Sequence, residues 1–415
     1  MVKKVNIILV VMMLPFLLTG CWDQRAVDKR AYVYGIGMDV SKEENKFKIT
    51  YLIINPEYGS EATGGTTNES PHELISFDTN DLMTSKNLAN AVVAKEITYD
   101  LLRVFFISEK LAKNKEFIRW LYDATKDREI RRDSYFIVTK ESPLEFLEKN
   151  KPKLETRMDQ YFNLILKRGV ENGMLPDSDL HRYFKITEAD ADLFLAAYGT
   201  TEDKKEENKK EEDQIFAGEF ETEGDTNPTQ FLGSAVFKEG KMIGKINGEE
   251  TRISILLNDT LNMKDVLTTY PDPFNKKYRV AARVVKKQKN DVKMTLRNGT
   301  GQIDVTVPLY VEILSDHSMV SYGEDEKKRA YLKHYIEKKL EAKMEEFVNK
   351  TQKKLKGEPF GWSLIARKKF QTLPEYKKFD WMNTYPNMKV NIKVKIRFGE
   401  FGRQGKLPKI SEVRD

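Results

Sequence analysis

Residues 324–355, EDEKKRAYLKHYIEKKLEAKMEEFVNKTQKKL, form the most regular stretch of this sequence. Apolar side chains recur every four residues, at Leu332, Ile336, Leu340, Met344 and Val348. That spacing places them on one face of an α-helix of about nine turns, and the Lys and Glu residues opposite are spaced for ion pairs. The stretch predicts a long amphipathic helix. Its apolar face fits two hypotheses, which are packing on an adjacent sheet and docking of a partner helix.

The sequence on both sides of this helix predicts such a sheet. Three strand candidates precede it, at 278–285, 292–296 and 303–313, and the turn signals between them at 289–291 and 298–299 predict an antiparallel meander. Two helical stretches follow it, at 362–370 and 374–381. A last strand at 388–398 then alternates apolar residues with lysines.

The first half of the chain has a mixed pattern of strands and helices. Residues 31–40 and 47–54 predict a hairpin around the polar turn 41–45. Strands are then predicted at 74–77, 101–108, 135–139 and 189–198, and helices at 81–97, 109–125, 143–149 and 154–167. Further on, strands at 230–237 and 241–246 precede a helix from Gly248. The chain is therefore predicted to be α+β, with two to three mixed domains and antiparallel sheets.

A charged segment separates the two halves. Residues 200–213, TTEDKKEENKKEED, contain eleven charged residues of fourteen and no apolar side chain, so they cannot bury enough surface to offset chain entropy. We interpret 200–229 as a charged flexible linker or insertion, either a surface excursion or an exposed helical extension. One α+β region, of one or two domains, is then expected at 31–199 and a C-terminal α+β domain at 230–405.

The amino terminus has the pattern of a lipoprotein signal peptide. Lys3 and Lys4 precede an apolar run over 5–18, which is too short to span a bilayer comfortably. The run ends in Leu-Thr-Gly-Cys at 18–21, where small residues precede the only cysteine of the chain. The pattern predicts a signal peptide at 1–20, cleavage between Gly20 and Cys21, S-diacylglyceryl and N-acyl groups on Cys21, and a lipid-anchored lead at 21–30. The alternative is an uncleaved apolar anchor.

Composition and motifs exclude several classes of function. A net charge of +6, from 70 basic and 64 acidic residues, makes no case for nucleic-acid binding, and a mean hydropathy of −0.58 excludes a multi-span membrane protein. The four histidines, His72, His181, His317 and His334, lack metal-site spacing. No catalytic motif occurs, and Gly35-Ile36-Gly37 lies inside a strand pattern instead of opening a helix. We therefore expect no catalytic, cofactor or metal site.

Three stretches resemble a known family. They are Gly20-Cys21-Trp22-Asp23 with the strand at 33–39, the pattern GSAVFKEGKMIG at 233–244 with NGEETR at 247–252, and the C-terminal order of long helix, Trp-containing short helices and Val/Lys strand. Together they resemble the Ger(x)C family, the lipoprotein C subunits of nutrient germinant receptors in endospore-forming bacteria. Two stretches depart from the family pattern, Arg25-Ala26-Val27-Asp28 and Glu358-Pro359-Phe360-Gly361-Trp362.

The resemblance carries specific expectations. It implies three α+β domains, a palmitate-type lipid anchor on the outer face of the inner spore membrane, and assembly with membrane-embedded A and B subunits. It also implies a scaffold or signalling role without catalysis, in nutrient-triggered germination. The alternative is a lipoprotein solute-binding component of an importer, which shares the lipobox and the length. The predicted meander disfavours that class, because solute-binding proteins are built from βαβ units. A surface hydrolase would need a nucleophile or a metal constellation, and the sequence shows neither.

Overall fold

The computed structural model describes residues 29–56, 70–189, 191–203, 213–258, 263–297 and 299–401, so Gly20, Cys21 and the predicted signal peptide lie outside the described residues. The strands are β1 (Arg30–Val40), β2 (Phe47–Ile54), β3 (His72–Thr79), β4 (Glu96–Thr98), β5 (Val104–Ser108), β6 (Tyr135–Thr139), β7 (Phe194–Thr200), β8 (Gln230–Lys238), β9 (Lys241–Ile246), β10 (Val266–Pro271), β11 (Arg279–Val285), β12 (Asp291–Arg297), β13 (Thr300–Asp316) and β14 (Lys389–Phe401). The helices are α1 (Ser85–Ala89), α2 (Glu109–Ala112), α3 (Phe117–Tyr122), α4 (Pro143–Lys149), α5 (Met158–Glu171), α6 (Leu180–Ala189), α7 (Gly248–Leu257), α8 (Glu326–Lys350), α9 (Trp362–Arg367), α10 (Leu373–Phe379) and α11 (Trp381–Thr384).

The first sheet is mixed. Its order is β3-β2-β1-β5-β6-β7-β8-β9, and the short β4 lies beside the start of β1. The central strands β1, β5, β6 and β7 are parallel, and both flanks are antiparallel. Both faces of the central strands are covered, because Ile36 and Met38 of β1 enter one apolar cluster and Tyr32 and Tyr34 enter another. That double coverage explains why the strands are nearly continuously apolar.

The second sheet is built on the long strand β13. Strand β11 pairs with its second half and β12 with its first half, both antiparallel, while β14 runs parallel to it and β10 pairs with β11. Helix α8 packs on this sheet, and its five predicted apolar residues, Leu332, Ile336, Leu340, Met344 and Val348, are all buried in the same cluster as the inward side chains of β14. The sheet-packing hypothesis for this helix is therefore confirmed.

Helix α8 also protects the outer edge of β14. The Glu341 Oε1 atom accepts a hydrogen bond from the Val394 N–H at 3.0 Å, and the Glu337 Oε1 atom accepts one from the Ile396 N–H at 2.8 Å. The two carboxylates thus occupy backbone N–H groups at the edge of β14 to which a strand of another chain could otherwise pair.

The α+β class is confirmed, but several predicted elements differ. The meander predicted at 278–313 is only half right: β12 and β13 pair antiparallel as predicted, but β11 and β12 are successive segments along β13 and do not pair with each other. The predicted turn between them instead closes over α7, where the Asn290 Nδ2 atom donates to the Leu256 and Leu257 carbonyls at 2.9 Å each. The sheets are also not purely antiparallel, because each contains parallel pairs.

Two predicted helices are shorter than their apolar periodicity suggested. The helix at 81–97 is only α1, since the Asp81 carboxylate accepts from the backbone N–H groups of Met83 and Thr84 in a turn and 96–98 joins the sheet as β4. The helix at 109–125 is divided into α2, α3 and a 3₁₀ turn at Asp123–Thr125. The Asn114 side chain accepts from the Glu116 N–H at the break. Such local side-chain bonds to the backbone compete with helix formation.

Strands β8 and β9, which the sequence placed with the C-terminal half, complete the first sheet. Thr200 at the end of β7 pairs directly with Gln230 at the start of β8. The described ends of the charged segment, 200–203 and Asp213, are held by side-chain contacts. The Glu141 carboxylate accepts from the Thr200 hydroxyl at 2.7 Å, and Asp213 forms an ion pair with Arg252 at 3.0 Å. The segment thus leaves and re-enters one sheet at neighbouring strands.

Candidate functional surfaces and the junction of the sheets

The residues singled out in the sequence do not gather into a reaction centre. Over the described ranges, no group of three or more His, Cys, Asp or Glu residues could hold a metal ion. Gly35 and Gly37 lie in the middle of β1. A Cβ at Gly37 would stand 2.5 Å from the Cβ of Pro143, so this glycine serves the close packing of α4.

Membrane attachment was the other predicted feature of the chain. Cys21 and Gly20 are outside the described residues, so their roles stay predictions. In the part of the chain that the structure describes, no helix is long and apolar enough to cross a bilayer.

The end of the first sheet from which the amino-terminal lead departs is open. Strand β1 begins there at Arg30, which forms an ion pair with Asp100 at 2.7 Å. A cleft of about 360 Å³ lies between the ends of β1 to β3 and the residues that precede β4. Its lining includes Ile53, Asn55, His72 and Val92. The His72 Nδ1 atom is buried and has no hydrogen-bond partner among the described residues. Burial lowers the pKa of the imidazole, which favours the neutral ring.

The junction between the two sheets contains two facing carboxyl groups. Asp192 lies just before β7, and Glu358 follows the single π-turn, Thr351–Leu355, that ends helix α8. The Leu193 N–H donates to the Glu358 carbonyl at 2.9 Å, so the two segments are joined through the backbone as well. The Glu358 carboxylate accepts from the Phe360 N–H at 2.5 Å and from the Ser363 N–H at 2.9 Å.

This carboxyl pair is deprived of water. Glu358 is fully buried, and the buried Oδ1 atom of Asp192 has no hydrogen-bond partner in the part of the chain that the structure describes. Burial raises the pKa of both groups, and the Asp192 charge raises the pKa of Glu358 further. Two carboxylates at one dry site cannot both ionise cheaply, so the pair holds a proton at pH values where exposed carboxyls have lost theirs.

The pair makes the stability of the junction depend on pH. A carboxyl whose pKa is raised by folding keeps its proton where the unfolded chain has lost it, so the free energy of unfolding falls as the pH rises above the ordinary carboxyl range. Asp192→Asn removes one of the two acids and supplies an amide donor to Glu358. We expect this variant to be more stable than the wild type by about 1 to 3 kcal/mol at pH 8, with a shallower decline from pH 5 to pH 8.

Urea unfolding at several pH values measures this effect. Asp225→Asn is the matched control, because that carboxylate side chain is 95% exposed and should leave the profile unchanged. Parallel profiles for Asp192→Asn and the wild type would contradict the assignment of a shared proton.

Several other acids that are largely withdrawn from solvent form ion pairs. Hydrogen bonds from Lys113 and Tyr198, together with the Lys245 charge, outweigh burial and hold the pKa of Glu109 at about 2. Glu249 and Glu250 at the start of α7 form ion pairs with Lys343 and Lys350 of helix α8. These contacts join the first sheet and helix α7 to their neighbours.

Nothing in the sequence brought Asp192 and Glu358 together. Each is an unremarkable acid in a chain with 64 of them, and the two are far apart in the sequence. In the sequence, the turn at 358–362 stands out only as a departure from the family pattern. The two acids become neighbours only because the segment that leads into β7 packs against the turn that follows helix α8.

Comparison with known proteins gives consistent matches along the chain. Residues 23–199 match the family described as spore germination protein N-terminal domain, and residues 232–402 match spore germination B3/GerAC like, C-terminal. Spore germination protein B3 of Bacillus subtilis (strain 168) is 20% identical over 400 residues, covering 94% of this chain and 96% of that protein.

Two further similarities are shorter or more distant. Spore germination protein KC of the same organism is 26% identical over 151 residues, covering 36% of this chain and 37% of that protein. The crystal structure of the GerBC protein has a TM-score of 0.49 at 18% identity, covering 88% of this chain and 98% of that one.

Proposed function

Because this chain belongs to the Ger(x)C family of spore germination proteins, we propose that it is the membrane-anchored C subunit of a nutrient germinant receptor. The observation that carries the proposal is the pair of family matches, at 23–199 and 232–402, which together include both sheets. A role in spore germination follows from the family. The anchor, the partners and the scaffold role are the proposed part.

The proposed mechanism is tethering and presentation. Acylated Cys21 holds the folded chain on the outer face of the inner spore membrane, since two or more acyl chains give stable attachment where one is marginal. The two sheets then present their surfaces to membrane-embedded A and B subunits. No step of this mechanism requires catalysis, which agrees with a family not known for enzymatic activity.

Affinity capture from spore membranes tests the assembly. We expect a tagged copy of this chain, solubilised in mild detergent, to retain germinant receptor A and B subunits that an untagged strain does not. Recovery of permease subunits in their place would support the solute-binding alternative and contradict the receptor assignment.

Deletion of the gene tests the role in germination. We expect deletion spores to lose the response to at least one nutrient while still germinating with a stimulus that bypasses receptors. Restoring the gene should restore the response. Deletion spores that respond normally to every nutrient, in a strain without paralogues, would contradict the proposal.

A further inference from the structure

An exposed apolar turn stands beside the start of β1. We call residues 88–95, LANAVVAK, the apolar turn; Asn90 and Lys95 are its only polar residues. Val92 is 74% exposed and Leu88 is 52% exposed. Single exposed apolar side chains are normal on protein surfaces. Two large ones within five residues, with the exposed Ala91 and Ala94 beside them, form a patch that calls for a partner.

The apolar turn is a built feature of the fold. The Ala89 carbonyl accepts from the N–H groups of Val92 and Val93 at 3.0 and 2.9 Å. The Asn90 side chain donates to the Lys95 carbonyl at 2.8 Å, which closes the turn. Ala89 is fully buried beneath it. The hydrogen-bonded backbone therefore holds Leu88 and Val92 in a fixed arrangement on the surface.

The position of the apolar turn relates it to the amino terminus. The turn leads directly into β4, where Glu96 stands opposite Arg30 and Ile97 opposite Ala31 in the parallel register. Arg30 is nine residues after Cys21, and nine extended residues span at most about 30 Å. A lipid on Cys21 would thus keep this end of the first sheet within about 30 Å of the bilayer.

We propose that the apolar turn is a membrane contact, in which Leu88 and Val92 enter the headgroup region of the bilayer. The proposal rests on the proposed acylation of Cys21, which fixes the end of the molecule that approaches the lipid. Two features favour a lipid surface as the partner of the apolar turn: the tether to Cys21 is short, and the exposed side chains are aliphatic. Lys95 at the edge of the turn also has the long apolar stem and charged end that suit a membrane interface. The contact gives the receptor subunit a defined orientation on the membrane.

A fluorescent probe at position 92 tests this. Acylation removes the only native thiol, so in the full lipidated chain Val92→Cys supplies the single site for a thiol-reactive, polarity-sensitive dye. The matched control is Leu267→Cys on β10 of the second sheet, where the native side chain is 56% exposed. Each labelled protein is reconstituted into vesicles of phosphatidylethanolamine and phosphatidylglycerol, with and without headgroup-level nitroxide lipid.

We expect the dye at position 92, and not the dye at 267, to shift its emission to the blue and to lose intensity with nitroxide lipid. Adding Leu88→Asp should abolish both effects while the protein still floats with the vesicles. Flotation with a water-exposed dye at position 92 overturns the inference alone. A dye at 92 that becomes shielded only when A and B subunits are added also overturns it, in favour of a protein partner. A chain that does not float overturns this inference together with the proposed anchor.

Discussion

Cys21→Ala is expected to move the protein from the membrane fraction to the soluble fraction of spores. Each buried methylene of an acyl chain contributes about 0.8 kcal/mol to membrane attachment, so loss of the diacylglyceryl and N-acyl groups removes nearly all of it. The variant should fold normally, since β1 begins nine residues later and all three apolar clusters among the described residues start beyond Cys21. Metabolic labelling with a fatty acid and fractionation measure the effect.

Gly20→Ala is the matched control for this substitution. It keeps a small side chain at the predicted cleavage site, so labelling and membrane retention should survive. Fatty-acid label that persists on Cys21→Ala would exclude Cys21 as the site of lipid attachment.

Trp362→Ala is expected to lower the free energy of unfolding by about 3 to 5 kcal/mol, the usual cost of removing a large aromatic side chain from a core. Trp362 is 1% exposed and its ring lies 4.6 Å from that of Phe360 and 6.3 Å from that of Tyr385, centroid to centroid. It follows directly after the turn that holds Glu358. The cavity would therefore open beside the buried carboxyl pair, where the surrounding backbone is fixed by hydrogen bonds and has little freedom to collapse.

The control for Trp362→Ala lies on the same short helix. Leu364 is 56% exposed, and its replacement by alanine should change the free energy of unfolding by less than about 0.5 kcal/mol. If urea titrations gave the two variants equal losses in the free energy of unfolding, the packing of Trp362 would not be what stabilises the junction.

Elements with a strong local pattern were predictable. The strand at 47–54 and the helix at 143–149 have the predicted bounds, the latter because Ser142 caps it and Pro143 occupies its first turn. Helix α8 was predictable because its apolar period persists through seven turns of uninterrupted sequence.

What the sequence could not supply is strand pairing at a distance. Residues 279–285 and 291–297 have the pattern of two hairpin strands, yet both pair with β13. The connection between them does not close into a tight turn, because the Lys286 ammonium and the Asn290 amide donate hydrogen bonds to carbonyls at the end of α7. Strand β10 and helix α6 were missed. The candidate surfaces depend on the same long-range pairings, since only the β1–β4 register places the apolar turn beside Arg30.

The pairing of Thr200 with Gln230 has a practical consequence for experiments on the intact protein. The chain leaves the first sheet and returns to it at adjacent backbone positions, and both approaches are secured, at Thr201 by Glu141 and at Asp213 by Arg252. Lengthening a connection whose ends are already held together costs little, because closure entropy grows only with the logarithm of its length. An epitope or fluorescent reporter inserted between residues 203 and 213 should therefore report on the protein in living spores without altering either sheet.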